Sequence, residues 1–140
     1  MGLTILDSSV WIDLLLNRPT PQVTKARRLL DSGIELGVGD LMVVEVLQGT
    51  RSDRQFRTAS AFLEQFVLIA ITDHIVATKA ALHYRALRDR GVTPRKTIDT
   101  LIATRCIIDR LPLLYSDRDF DPFVQHLGLR SAMDLPTGVN

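Results

Sequence analysis

Short apolar runs alternate along the chain with longer segments whose apolar positions recur at helical period. Leu3-Thr4-Ile5-Leu6 predicts a buried strand almost at the N-terminus. Residues 8–16 follow as a helix with Val10, Trp11, Leu14 and Leu15 on one face. Asn17-Arg18-Pro19-Thr20-Pro21 ends that helix, since proline cannot continue a helix interior. Residues 23–30 predict a second helix closed by Ser32-Gly33, and residues 34–38 a second short strand. Asp40 is placed to cap a compact apolar helix ending at Gly49. Residues 52–66 form an amphipathic helix through Phe56, Ala59, Phe62, Leu63 and Phe66. A third strand covers residues 67–71, and Asp73 caps a long helix that stops at Arg90-Gly91. Thr93-Pro94 or Thr97 opens the next helix, which ends near Arg110. Leu113-Leu114-Tyr115 is a fourth strand. Asp121-Pro122 forms an N-cap and first-position pair for a last short helix, and Leu129-Arg130-Ser131 a weak edge strand.

Strands separated by helices require right-handed crossovers and a parallel sheet covered on both faces. The expectation is one doubly wound, three-layer α/β/α domain over residues 1–135, with a mostly parallel sheet of four to five strands. Residues 136–140 are expected to form a flexible tail. A length of 140 residues agrees with one domain able to build a real core. Apolar residues at 46% and charged residues at 24% exclude a disordered chain. One cysteine, Cys106, cannot form an internal bridge and favours a reducing compartment. The longest uncharged apolar run near the middle, residues 66–71, is too short to span a bilayer, and no basic segment precedes an apolar stretch as in a signal peptide. A cytoplasmic location is expected. The net charge of +1 gives no overall field, so any surface for nucleic acid must be local.

In open parallel sheets ligands bind beyond the carboxyl ends of the strands, where the strand order reverses. Asp7 follows the first strand and Asp117 the fourth. Asp7 also fits as the cap of its helix. Asp121 already supplies a cap for the last helix, which leaves Asp117 and Asp119 without a structural task, although Asp119 serves equally as a cap one residue earlier. Glu45 sits within Leu41-Met42-Val43-Val44-Glu45-Val46-Leu47, with no basic residue one helical turn away. A solvated rim position explains it as well as a site does. If it is buried, it needs a partner from elsewhere, because an unpaired buried carboxylate costs several kcal/mol. Asp99 lies at the edge of the apolar arc of Ile98, Leu101, Ile102 and Cys106; compensation of the helix dipole is its plain alternative. Together the four acids make a pocket that cannot keep its charges without a cation or large pKa shifts. Oxygen ligands alone select magnesium or manganese over zinc. His74, His83 and His126 show no ligand spacing, and no phosphate-cradling glycine loop or nucleophile elbow occurs.

Leu6-Asp7-Ser8-Ser9-Val10-Trp11-Ile12, Val44-Glu45-Val46-Leu47-Gln48-Gly49, Ile98-Asp99-Thr100-Leu101-Ile102-Ala103 and Leu113-Leu114-Tyr115-Ser116-Asp117-Arg118-Asp119-Phe120 resemble, in order, the motifs of a PIN domain. In particular they resemble those of a VapC-type toxin of a type II toxin–antitoxin pair. The resemblance covers essentially the whole chain. It implies a magnesium-dependent endoribonuclease, with manganese as a substitute, in which Asp7, Glu45, Asp99 and Asp117 form the catalytic and metal-binding acids. Asp7 and Asp99 are the leading direct ligands, while Ser8 and Asp119 support the site by hydrogen bonding or through water. The reaction implied is in-line attack of water on a phosphodiester, leaving a 5′-phosphate and a 3′-hydroxyl. Tyr115 departs from the pattern, where many relatives carry a small polar residue.

An acidic pocket repels a phosphate backbone, so RNA binding needs cations at its rim. Arg95 and Lys96 are the best placed, with solvated helix charges as the plain alternative. The resemblance also implies a VapB-type antitoxin and a homodimer. Two other readings are an RNA-processing PIN nuclease without antitoxin and a catalytically silent module that keeps the fold for binding.

Overall fold

The structure, a computed structural model, describes residues 2–137. Strands β1 (Leu3–Leu6), β2 (Glu35–Gly39), β3 (Val67–Ile69) and β4 (Leu113–Leu114) form one sheet in the order β3-β2-β1-β4. All three pairings are parallel. The intervening helices are α1 (Ser8–Leu15), α2 (Pro21–Asp31), α3 (Asp40–Leu47), α4 (Asp53–Leu63), α5 (His74–Asp89) and α6 (Thr97–Ile108), with α7 (Asp121–Leu127) after β4. Winding runs outward from β1 to β3 and then returns past β1 to β4. Right-handed crossovers therefore put α1–α4 on one face and α5–α6 on the other. Packing agrees, since α1 meets α2 and α3, α3 meets α4, and α5 meets α6 and α7. The order reverses between β1 and β4, which places the crevice beside the ends of those two strands.

The core runs through the sheet from Trp11, Met42 and Ala59 on one side to Leu87, Ile102 and Phe123 on the other, with Ile5, Leu6, Leu36 and Leu113 between them. Trp11 meets Phe62 edge-on at 6.2 Å and Phe66 at 4.7 Å between ring centroids, which locks α1 against the α4 end. Ser52 accepts from the Gln55 amide at 3.1 Å and Asp73 from the Val76 amide at 2.8 Å, both as N-caps.

Several boundaries differ from the periodic expectation, each for a hydrogen-bonding reason. Helix α2 starts earlier, because Thr20 caps it through the Val23 amide (3.0 Å) and Pro21 is its first residue. Strand β3 ends two residues early: the Ile71 amide leaves the sheet and donates to Asp40 Oδ1 at 2.9 Å. Asp40 is thus the first residue of α3 rather than its cap, and it ties that helix to the end of β3. The fifth strand shrinks to a single parallel bridge between Leu113 and Ser131. A 3-10 turn, Arg118–Phe120, precedes α7, so Asp121 is the first residue of that helix and accepts from the Tyr115 hydroxyl at 2.7 Å. Of the expected tail, Thr137 accepts a bond from the Ser32 hydroxyl, and residues 138–140 lie outside the described part. Among the described residues no helix is long and apolar enough to cross a membrane.

Candidate metal centre

Asp7 leaves β1 in extended conformation, and its amide donates to the Leu114 carbonyl at 2.9 Å, joining the ends of β1 and β4. It occupies the N-cap position of α1, yet its side chain makes no capping bond. Oδ2 instead accepts from the Ser9 hydroxyl at 3.1 Å, and the Ser116 hydroxyl lies 3.0 Å from Ser9 Oγ. With its own proton on Asp7, Ser9 can only accept from Ser116. The pair thereby fastens the start of α1 to the turn after β4. The Asp7 side chain thus does not make the capping bond that its position allows.

Asp99 lies in the first turn of α6 and is only 7% exposed, with Oδ2 buried and unpartnered. Glu45 projects from α3, half-buried, and its Oε1 is likewise buried without a partner. Both acids thus leave an oxygen that has lost water and gained no donor, a costly arrangement unless a cation is expected there. Burial pushes the Asp99 carboxyl up to about 6, with the charges of Asp7, Asp117 and Glu45 adding to it and Lys96 opposing. Burial also raises Asp7, helped by Glu45 and opposed by the Ser8 amide and the Ser9 hydroxyl.

Asp117 has a structural task after all. Its Oδ1 accepts from the Asp119 amide at 2.9 Å and caps the 3-10 turn, while Oδ2 stands 3.5 Å from Lys96 Nζ. Arg95 Nη2 reaches both oxygens of Asp119, at 3.3 and 3.4 Å. One carboxylate oxygen each from Asp99, Asp117 and Asp119 lies within 4.8 Å of the other two. Asp119, expected in support, therefore belongs to the tightest group, while Asp7 and Glu45 reach Asp99 through their charges.

Ser8, which the resemblance implies in support, bears on Asp7 through its amide, while the hydroxyl bonded to Asp7 is that of Ser9. At the second helical residue a side chain can reach back to the N-cap, a signal available in the sequence. Nothing there pointed to Ser116, whose place depends on how β4 ends. Arg95 and Lys96 do stand at the rim, seated on the acids. Asp13 and Asp109 pair at the surface with Arg18 and Arg105. His83 is buried against Thr104 at 2.9 Å, outside the site. The donor set is all oxygen, carries an excess of negative charge and includes two orphaned buried oxygens. It fits a hard divalent cation.

The PIN domain family model matches residues 4–123. VapC ribonuclease Mb1587 of Mycobacterium bovis is 26% identical over 129 residues, covering 91% of this chain and 96% of that protein. Ribonuclease VapC11 of Mycobacterium tuberculosis matches with the same identity and coverage. Two solved structures share the fold. VapBC2 from Rickettsia felis, bound to a DNA fragment from its promoter, superposes with a TM-score of 0.71 at 16% identity, over 92% of this chain and 96% of that one. DNA-bound VapBC from Salmonella typhimurium gives 0.72 at 18% identity, over 94% and 97%.

Proposed function

The chain belongs to the PIN-domain family, and from that premise we propose that it is the toxin of a VapBC-type pair, a magnesium-dependent endoribonuclease restrained by a cognate VapB-type antitoxin. The observation that carries this reading is the pair of orphaned buried oxygens, Asp99 Oδ2 and Glu45 Oε1, on two acids whose charges both bear on Asp7 at the reversal point of the sheet. A fold needs no such feature for stability, and a cation resolves it. The similarity to proteins named VapC ribonucleases supports RNA as substrate, and the likeness to VapBC complexes supports the antitoxin. A homodimer and a cytoplasmic location belong to the same reading.

Asp7 and Asp99 would hold the magnesium ion, or manganese in its place, with Glu45 and Asp117 completing the acidic set. When bound, the ion supplies Lewis-acid polarisation of the phosphodiester and activation of the attacking water. The chain's own groups do the rest. Ser9, backed by Ser116, fixes the Asp7 carboxylate in one orientation, as donors behind metal ligands do. The Asp117 cap on the 3-10 turn fixes Asp117 and Asp119 relative to each other. Arg95 and Lys96 offer the phosphate backbone positive charge at the mouth of an otherwise repulsive pocket.

The test is incubation of the antitoxin-free chain with total RNA, in magnesium or manganese and then in chelator, beside Asp99→Asn, followed by sequencing of the new ends. Discrete cuts that need both metal and Asp99 are expected. An absence of cuts with metal binding confirmed would overturn the reading in favour of a silent binding module.

A further inference from the structure

The two cations at the mouth of the site are placed in a way that helix physics does not explain. Lys96 occupies the N-cap of the twelve-residue helix α6, where Ser, Thr, Asp or Asn is preferred, and it makes no capping bond. A cation there also opposes the positive end of the helix dipole. Its partners are acids: Asp99 three residues on, in the first turn of the same helix, and Asp117 from the segment after β4, whose Oδ2 lies 3.5 Å from Lys96 Nζ. Arg95, one residue earlier in the same irregular segment, spans both oxygens of Asp119.

These contacts divide the acids into two sets. The outer carboxylates, Asp117 and Asp119, carry seated cations. The inner oxygens, Asp99 Oδ2 and Glu45 Oε1, have none. Both cations are largely solvent-exposed, at 79% for Arg95 and 59% for Lys96, so the pairs are screened and weak enough to exchange. The acids, with Asp7 among them, outnumber the two cations and still leave the site attractive to a dication, but less so than without them.

Resting on the nuclease reading above, we infer that Lys96 and Arg95 are built-in counter-cations of the acidic centre, which compete with the divalent ion for the outer carboxylates and pass to the RNA phosphate when it binds. The two halves of this role pull in opposite directions. Removing either cation strengthens metal binding and weakens RNA binding. A cation that merely props up the local structure would lower both or neither.

The experiment titrates Mn2+ into the full antitoxin-free chain at pH 8 and low salt, comparing wild type with Lys96→Met, Arg95→Met and, as a charge control, Lys79→Met on the exposed side of α5. Each of the first two variants should bind Mn2+ roughly three- to tenfold more tightly, an advantage that shrinks at high salt, while the control is unchanged. At saturating Mn2+ the same two variants should show a raised KM for a short single-stranded RNA with kcat little altered. Loss of one phosphate contact should also lower the slope of log affinity against log salt by about 0.7. Unchanged or weaker Mn2+ binding in both variants overturns the inference, whatever the RNA result. Tighter Mn2+ binding with an unchanged KM overturns the transfer to phosphate. Tighter binding in a chain whose wild type cuts no RNA overturns the nuclease reading and leaves the counter-cation role standing.

Discussion

Replacing Asp99 by asparagine should abolish cleavage and make the metal-free protein more stable. In the native chain its carboxyl is pushed from 3.8 to about 6 by burial and by the acids around it. Between pH 4 and 6 the folded protein therefore holds a proton that the unfolded chain has released. Stability falls as pH rises through that window and stays lower above it. At 1.36 kcal/mol per pKa unit the full cost is about 3 kcal/mol at neutral pH. The mouth of the site is open to solvent at Lys96, and screening brings the expected value to about 1–2 kcal/mol. The asparagine side chain keeps the shape and removes the charge, so this cost disappears. For a chain of this length that corresponds to a rise in Tm of roughly 3–8 °C at pH 8 and almost none at pH 4. Urea unfolding in chelator at the two pH values reads the free-energy difference, and a thermal melt reads the Tm. Addition of Mg2+ should then stabilise the wild type and leave the variant unmoved. A variant less stable than wild type at pH 8, or a difference independent of pH, would refute the electrostatic account of the site.

Three further outcomes follow from named contacts. Ser9→Ala should weaken Mn2+ binding about tenfold by freeing the Asp7 carboxylate, whereas Ser8→Ala should change it little; isothermal titration separates them. Because Asp99 must lose its proton to bind metal, Mn2+ affinity should be nearly flat above pH 7 and fall about tenfold per unit well below pH 6; a flat profile down to pH 5 would contradict the raised pKa. Tyr115→Phe removes the bond to Asp121 and should cost about 1 kcal/mol in chemical denaturation, with Mn2+ affinity unchanged, since that hydroxyl serves α7 rather than the metal centre.

The alternation of apolar runs and helical periods determined the elements, their order and the parallel sheet, because burial on two faces leaves few other ways to place such a pattern. The strand-end positions of Asp7 and Asp117 marked the crevice for the same topological reason. Glu45 and Asp99 stood out because carboxylates among apolar neighbours are expensive, a property visible in one dimension. The tertiary structure decided what periodicity does not encode: the rotamers and the short irregular turns. Asp117 was read as having no structural task, yet it caps a 3-10 turn that no period announces. Asp119 joined the tightest acid group because that turn folds it back beside Asp99. The strand expected at residues 129–131 was reduced to one bridge. Ser116 met Ser9, 107 positions away in the chain, only because β4 pairs beside β1. Arg95 and Lys96 stood out in the sequence as rim cations, but only the fold paired them with Asp119 and Asp117. Local sequence determines which groups are present and which face they share. Contacts between distant segments are settled by the packing that brings strand ends together, and in this chain the chemistry lies at those ends.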